Sequence, residues 1–326
     1  MIVPSKKSSW FYVLFAYYGT VAVKILPRIL LVVLFSCIIT GIYQYEHALI
    51  EQNLMSNTQG FLHKLPLKIS HFSLITLALS IFLGFRNNTS YDRFWEGRKL
   101  WGGIVNTSRN FCRQLYSFVD SFANDPKAED LRTTLSYACA AYPHTLRMHL
   151  RGEWNPKELE SLLPSDLIDA LAKEQNKPIA LLHWMGLKLR TAHNQGWLNV
   201  YHHTVMEESL STLCNLQGGC ERIKATPIPY SYNILLHRIV ALYCFSLPFG
   251  LVSELTLGTP IVVGVISYAF LGLDAIGDEI ENPFQRDQND LPLGAISHMI
   301  ESNIRQRMGL EALELKQPDP KTRLLL

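Results

Sequence analysis

Four blocks of apolar residues alternate with polar stretches along the chain, two towards each end. The first two cover residues 29–45 and 69–85, and the last two cover 232–252 and 255–273. None of the four contains Asp or Glu, and each approaches the roughly 20 apolar residues that a membrane-spanning helix needs. The pattern predicts four transmembrane helices, because four such blocks are difficult to bury inside one soluble protein.

Lysine and arginine flank these blocks unevenly. They cluster before the first block and after the second, whereas the connection over residues 46–66 contains Lys64 alone. Cytoplasmic segments close to membrane spans are enriched in these two residues. We therefore expect a multi-pass protein of the inner or plasma cell membrane with both termini in the cytoplasm.

The polar middle of the chain shows helical spacing and no strand-like alternation. Residues 177–223 are predicted to form one long helix that ends near Gly218–Gly219, since glycine is a common residue at helix ends. Ser165 is a candidate N-cap for a shorter helix before it, because its hydroxyl can accept from the first free N–H groups.

These patterns together predict an all-α fold class, an integral membrane protein with four transmembrane helices and a helical cytosolic domain. Four parts are expected along the chain: an N-terminal segment with spans one and two (1–86), the cytosolic domain (87–230), spans three and four (231–274) and a cytosolic tail (275–326).

Composition and motifs exclude several classes of function. The net charge is only +2 over 326 residues, so nucleic acid is not an expected partner. The chain contains no phosphate-binding glycine loop, no G-x-S-x-G and no C-x-x-C pair, so an enzyme is not expected. His203 and Glu207 stand four residues apart without an H-E-x-x-H motif, which favours a solvated helix face over a metal site.

Three segments resemble the bestrophin family, especially its bacterial branch. The segment FRNNTSYDRFWEGRKLWG follows the second apolar block and starts at Phe85. IPYSYNILLHRIVALYCFSLPFGL (228–251) leads into the third span, and DAIGDEIENPFQRDQNDLPL (274–293) contains an N-P-F segment followed by acids. The three occur in the family's order, and the resemblance covers nearly the whole chain, most weakly over about 110–180.

The resemblance implies a homopentameric ion channel, a ring of chains around a central pore. Its expected partners are copies of itself, membrane lipids and small inorganic ions. Matched by position, the pore neck falls at Leu77, Ile81 and Phe85. The spacing i, i+4, i+8 places these residues on one helix face over about 12 Å of axis. One chain supplies one such stripe, so a pore lined by it requires several copies around an axis.

The family implies two further features. A second constriction on the cytosolic helix falls at Gln195 or Tyr201, and the alignment leaves both open. Animal members bind calcium after the fourth span, and the matching positions here are Glu279, Asn282, Asp287 and Asp290. Arg286 and neutral residues interrupt that acidic run, so we expect no required cofactor and keep calcium as an option.

The resemblance leaves the selectivity of the channel open. Animal relatives conduct chloride and other small anions, whereas bacterial relatives can prefer monovalent cations. We expect an anion channel, with a monovalent-cation channel of the same architecture or a non-conducting membrane scaffold as alternatives. A scaffold would bury the stripe of Leu77, Ile81 and Phe85 against its own chain, whereas a channel would present it to an axis between copies.

Overall fold

The computed structural model of the protein describes residues 1–2, 19–52, 60–64, 69–119, 125–319 and 322–325. The described residues form helices and contain no strand, which confirms the all-α prediction. The helices in chain order are α1 (Ala22–Glu51), α2 (Phe61–Lys64), α3 (Ile69–Phe118), α4 (Pro126–Arg151), α5 (Ser165–Lys173), α6 (Lys177–Asn194), α7 (Val200–Ala225), α8 (Tyr230–Leu255), α9 (Thr259–Glu281) and α10 (Leu293–Arg307).

Contacts between residues divide the chain into two compact units. One comprises Lys7–Asp92 and Pro227–Glu281 and is called here the apolar unit. The other comprises Met1–Lys6, Arg93–Thr226 and Asn282–Leu326 and is called the polar unit. Each unit has a hydrophobic core of its own, and α3 contributes residues to both.

In the apolar unit, α1, α8 and α9 pack against one another. Leu83 of α3 joins this core together with Val240 of α8 and Val263 of α9. Gly250 of α8 lies directly against the ring of Phe72. A Cβ at position 250 would overlap that ring, so the close approach of α3 and α8 requires glycine there.

In the polar unit, α4 packs against α6 and α10, and α6 packs against α7. The core is large and contains residues from every one of these helices and from the second half of α3, among them Trp101, Tyr142, Leu189, Leu213 and Ile300. Burial of this apolar area is the main favourable term for folding of the unit.

The single helix predicted over 177–223 is wrong. The structure has α6 and α7 there, separated by a turn in which Gly196 adopts φ +76°. Asn199 then starts α7 by accepting a hydrogen bond from the His202 N–H at 2.9 Å. Glycine adopts this left-handed conformation without a steric cost, and asparagine is a strong N-cap, so the short stretch from Gly196 to Asn199 interrupts the helix.

Two predicted helix signals were also wrong. Gly218 and Gly219 do not end α7, which continues to Ala225. A Cβ at Gly219 would lie 2.7 Å from Leu100 Cδ2, so this glycine serves helix packing rather than termination. Ser165 is the first helical residue of α5, and the N-cap position belongs to Pro164, without a side-chain hydrogen bond.

Candidate functional site

The stripe of Leu77, Ile81 and Phe85 lies on an outward face of α3. These side chains are 61%, 49% and 62% exposed, whereas Leu79 and Leu83 are buried against the apolar unit. Residues two positions apart differ by about 200° around a helix. The stripe therefore points away from the seam by which α3 packs on its own chain.

Two helical stretches of the described residues are long and apolar enough to cross a membrane, Ala22–Glu51 and Tyr230–Glu281. Only 28% and 39% of their most apolar parts are buried. Leu34 of α1 and Ile261 of α9 are 63% and 73% exposed. A core helix of a soluble protein would bury such residues, so these helices present apolar surface outwards.

Arg86 follows the stripe directly and is fully buried. Its guanidinium donates to Asp274 Oδ1 at 2.7 Å, to the Asp274 carbonyl oxygen at 3.1 Å and to Asn233 Oδ1 at 3.0 Å. It also pairs with Asp278. A buried cation is tolerated only when it is paired and hydrogen-bonded, and here α8 and α9 supply those partners. The cluster therefore fixes α3 against both helices at the end of the stripe.

The partly buried His237 joins this cluster. Its Nδ1 lies 2.7 Å from Asp274 Oδ2, and its Nε2 lies 3.4 Å from Asp278 Oδ1. The three side chains offer ligand atoms within 4.8 Å of one another. However, both carboxylates already pair with the Arg86 guanidinium, so the geometry favours an internal ion-pair network over a metal site.

The sequence did not predict the burial of Arg86. The available signal was the charge pattern, in which Asp274 and Asp278 follow the last apolar block at i, i+4. Cations and anions at matching ends of neighbouring spans are expected to pair. A comparison of the charges that follow the second and the last apolar blocks therefore identifies the cluster of Arg86, Asp274 and Asp278.

Gln195 and Tyr201 lie on either side of the interruption between α6 and α7. Gln195 is the C-cap of α6, and Tyr201 is in the first turn of α7 and 80% exposed. Both side chains are exposed on the polar unit. The two candidates for a cytosolic constriction therefore remain equivalent in accessibility.

The histidines of this region form no described metal cluster. His203 Nε2 lies 3.9 Å from Glu207 Oε1, and the ring of His193 is hydrogen-bonded to the Leu198 carbonyl oxygen through Nδ1 at 2.9 Å. One long His–Glu contact supplies too few ligands for zinc, which takes three or four from the protein.

The residues matched to a calcium site each have contacts within their own unit. Glu279 belongs to the apolar unit, where Lys24 Nζ lies 3.2 Å from its Oε2. Asp290 belongs to the polar unit and accepts the Asp287 N–H through Oδ2 at 2.7 Å. Asn282 is exposed.

The backbone carbonyl oxygens of the N-P-F segment accept hydrogen bonds from an arginine side chain. Arg151 donates to the Phe284 and Gln285 carbonyl oxygens, each at 3.1 Å. Burial, and then the neighbouring Arg147 and Arg286, lower the pKa of Arg151, yet a guanidinium stays charged at neutral pH. Calcium takes six to eight oxygen ligands. The residues present do not fit that requirement, because a fixed cation occupies the carbonyl oxygens.

Comparison with known proteins identifies the family of this chain. Residues 1–306 match the family described as Bacterial/Fungal Bestrophin protein. The voltage-dependent anion channel-forming protein RSc3414 of Ralstonia nicotianae is 36% identical over 309 residues, which cover 93% of this chain and 94% of that protein. YneE of Escherichia coli K12, with the same descriptive name, is 34% identical over 298 residues, 91% of each chain.

The fold also matches solved structures. A bacterial bestrophin homolog from Klebsiella pneumoniae superimposes with a TM-score of 0.77 at 34% identity and covers 88% of this chain and 99% of its own. The chain belongs to the bacterial and fungal bestrophin family. It is accordingly a membrane protein of ion-channel type and not an enzyme.

Proposed function

We propose that the protein is a homo-oligomeric anion channel whose pore neck is lined by Leu77, Ile81 and Phe85. One observation carries this proposal: the stripe is about half to two-thirds exposed on the face of α3 opposite its own core. A scaffold that used α3 only for internal packing would bury these side chains. Several copies around an axis would instead bring their stripes together.

The copy number in the proposal is five, as the bestrophin resemblance implies. In such a ring each chain adds one leucine, one isoleucine and one phenylalanine at successive levels, over about 12 Å of axis. Narrow apolar rings exclude ions by dewetting. The neck therefore serves as the gate, and its width determines how often the pore is wet.

The proposed topology has four spans per chain and both termini in the cytoplasm. α1, the first part of α3, α8 and α9 are the spans. The exposed apolar residues of α1 and α9 support contact with lipid or with neighbouring copies. The cationic residues Lys24 and Arg28, before the apolar core of α1, support an inside orientation for that end.

Anion selectivity is proposed from the relatives, since two of them are named voltage-dependent anion channel-forming proteins. The neutral neck itself does not favour one sign of charge. A monovalent-cation channel of the same architecture is the second candidate, because the neck would admit either ion once wet. The exposed Gln195 and Tyr201 are both proposed as positions at which a cytosolic constriction could be lined.

We also propose that conduction does not depend on calcium. Arg151 holds the two carbonyl oxygens of the N-P-F segment, and Arg286 pairs with Glu153 beside it. The Arg151 guanidinium therefore orders the N-P-F segment, as a bound calcium ion would in a calcium-binding channel.

Substitution of the neck tests the proposal. Ile81→Ala shortens every inward side chain of one ring and should raise chloride flux into liposomes severalfold, because a wider ring is wetted more often. Ile261→Ala is the matched control, since Ile261 is also an exposed isoleucine but lies on α9. Flux at the wild-type level in Ile81→Ala, Leu77→Ala and Phe85→Ala alike would assign the stripe to packing.

A further inference from the structure

The polar unit contains a pocket of about 480 Å³ whose walls come from α3 and the end of α10. Its polar lining consists of three guanidinium groups and two amides: Arg109, Arg113, Arg307, Asn303 and Gln306. No Asp or Glu is among the described residues that line it. The volume falls within the roughly 300–1,000 Å³ that is common for small-molecule sites.

Two of the three arginines, Arg109 and Arg113, are hydrogen-bonded to neutral amide oxygens rather than to acids. Arg109 donates through Nε to Asn303 Oδ1 at 2.8 Å. Arg113 donates through Nε and Nη2 to Asn110 Oδ1 at 3.1 and 2.9 Å. Within the described residues, none of the three arginines forms an ion pair with a carboxylate.

The rest of the lining leaves this positive charge uncompensated. Burial raises the pKa of the Cys112 thiol to about 11, so Cys112 is neutral at pH 7. Ile304 is buried and apolar. The pocket therefore combines three arginine cations with a small apolar floor.

The position within its helix explains the presence of an arginine at only one of the three sites. Arg307 lies in the last turn of α10, where the helix dipole favours a positive side chain. Arg109 and Arg113 lie more than a turn before the end of α3, beyond the reach of that effect. They also stand at i, i+4, where like charges repel. Their convergence on one pocket therefore requires a different explanation.

We propose that this pocket binds a phosphate-bearing anion, through bidentate contacts from Arg109, Arg113 and Arg307. The guanidinium fork matches the oxygens of a phosphate group, and several forks around one cavity suit a multiply charged ligand better than a single halide ion. The phosphate can belong to a soluble organic phosphate or to a lipid headgroup. The site lies on the polar unit and is independent of the proposed neck, so the ligand would be a regulator or stabiliser rather than the conducted ion.

Calorimetric titration of the full-length oligomer in mild detergent tests this proposal. The probes are ATP and inorganic pyrophosphate, and the chloride concentration is held constant. Wild-type protein should bind at least one probe, and Arg307→Gln or Arg113→Gln should weaken binding roughly tenfold or more, the effect of losing a charged hydrogen bond. Arg190→Gln is the matched control, because Arg190 is an exposed arginine of the same unit outside the pocket.

Vesicle flotation separates the two sources of phosphate. Wild-type oligomer reconstituted in nanodiscs is mixed with vesicles of phosphatidylcholine with or without phosphatidic acid. Binding that requires phosphatidic acid and is lost in Arg113→Gln assigns the site to a headgroup, whereas ATP binding alone assigns it to a soluble phosphate. Two results would overturn the proposal: no probe binds to wild-type protein, or the arginine variants lose the oligomer, which would assign the arginines to contacts between copies.

Discussion

Arg86 is the charged residue most closely tied to the proposed neck, because it follows Phe85 and is completely buried. Its partners come from α8 and α9. The position of the last stripe residue on α3 therefore depends on an ion-pair network that lies immediately beside it. This network also explains how a cation can follow the apolar part of α3, since the guanidinium is paired with Asp274 and Asp278.

Replacement of Arg86 by glutamine should strongly destabilise the protein. The substitution leaves the Asp274 carboxylate buried without its cation, and loss of one partner of a buried pair costs about 3–5 kcal/mol. We expect a clearly lower thermal unfolding midpoint for the detergent-purified protein. Arg28→Gln removes an exposed arginine of α1 and should change the midpoint little. An Arg86→Gln protein that melts with the wild type would contradict the structural role of the cluster.

Calcium removal should have no effect on conduction. Arg151 already donates to the carbonyl oxygens of Phe284 and Gln285, so chelation by EGTA should leave both chloride flux and the unfolding midpoint unchanged. Glu279→Gln and Asp290→Asn, which alter matched calcium positions, should show the same indifference to EGTA. A reversible loss of flux on chelation in the wild type, restored by added calcium, would refute this.

The sequence was informative about residues whose role depends on spacing. Leu77, Ile81 and Phe85 could be placed on one face because helical periodicity fixes their directions, and the structure leaves that face exposed. The partners of Arg86 are 147 to 192 positions away along the chain. Such contacts depend on how helices pack, and periodicity within one segment carries no information about them.

At the scale of elements, the glycines of α7 show why the presence of glycine alone does not predict where a helix ends. The pattern predicts a helix end at Gly218–Gly219, but both residues lie inside α7. Gly103 of α3 and Gly219 of α7 face Leu216 and Leu100 respectively, and a Cβ at either position would lie 2.7 Å from a leucine methyl group. The two helices thus approach through reciprocal glycine–leucine contacts. A sequence pattern cannot distinguish a glycine that ends a helix from one that accepts a neighbour's side chain.

Valine substitutions at these adjacent glycines should separate packing from helix propensity. Gly219→Val inserts a side chain against Leu100, whereas a Cβ at Gly218 would meet no described atom within 4 Å. Both changes carry the same propensity effect, so their difference reports overpacking, typically about 1–3 kcal/mol. We expect a lower unfolding midpoint for Gly219→Val than for Gly218→Val. Equal midpoints would show that the α3–α7 contact relaxes without cost.

At the scale of the whole molecule, the fold class followed from the four apolar blocks and the helical middle. The break between α6 and α7 did not follow from the sequence. A glycine such as Gly196 or an asparagine such as Asn199 can either continue a helical pattern or interrupt it, and only the backbone angles distinguish the two cases. The proposed ring of copies is a further step, since in a ring of five each chain would line only one fifth of the pore. Native mass measurement in mild detergent should therefore give a closed oligomer, with five chains expected.

The central claim is that this ring conducts anions through the neck. The most direct test is the reversal potential of single channels in planar bilayers, with potassium chloride more concentrated on one side. We predict a reversal potential close to the chloride equilibrium potential, and a larger unitary conductance for Ile81→Ala with the same reversal potential. A reversal potential at the potassium equilibrium potential would contradict anion selectivity, and the absence of any conductance from a stable oligomer would contradict the channel itself.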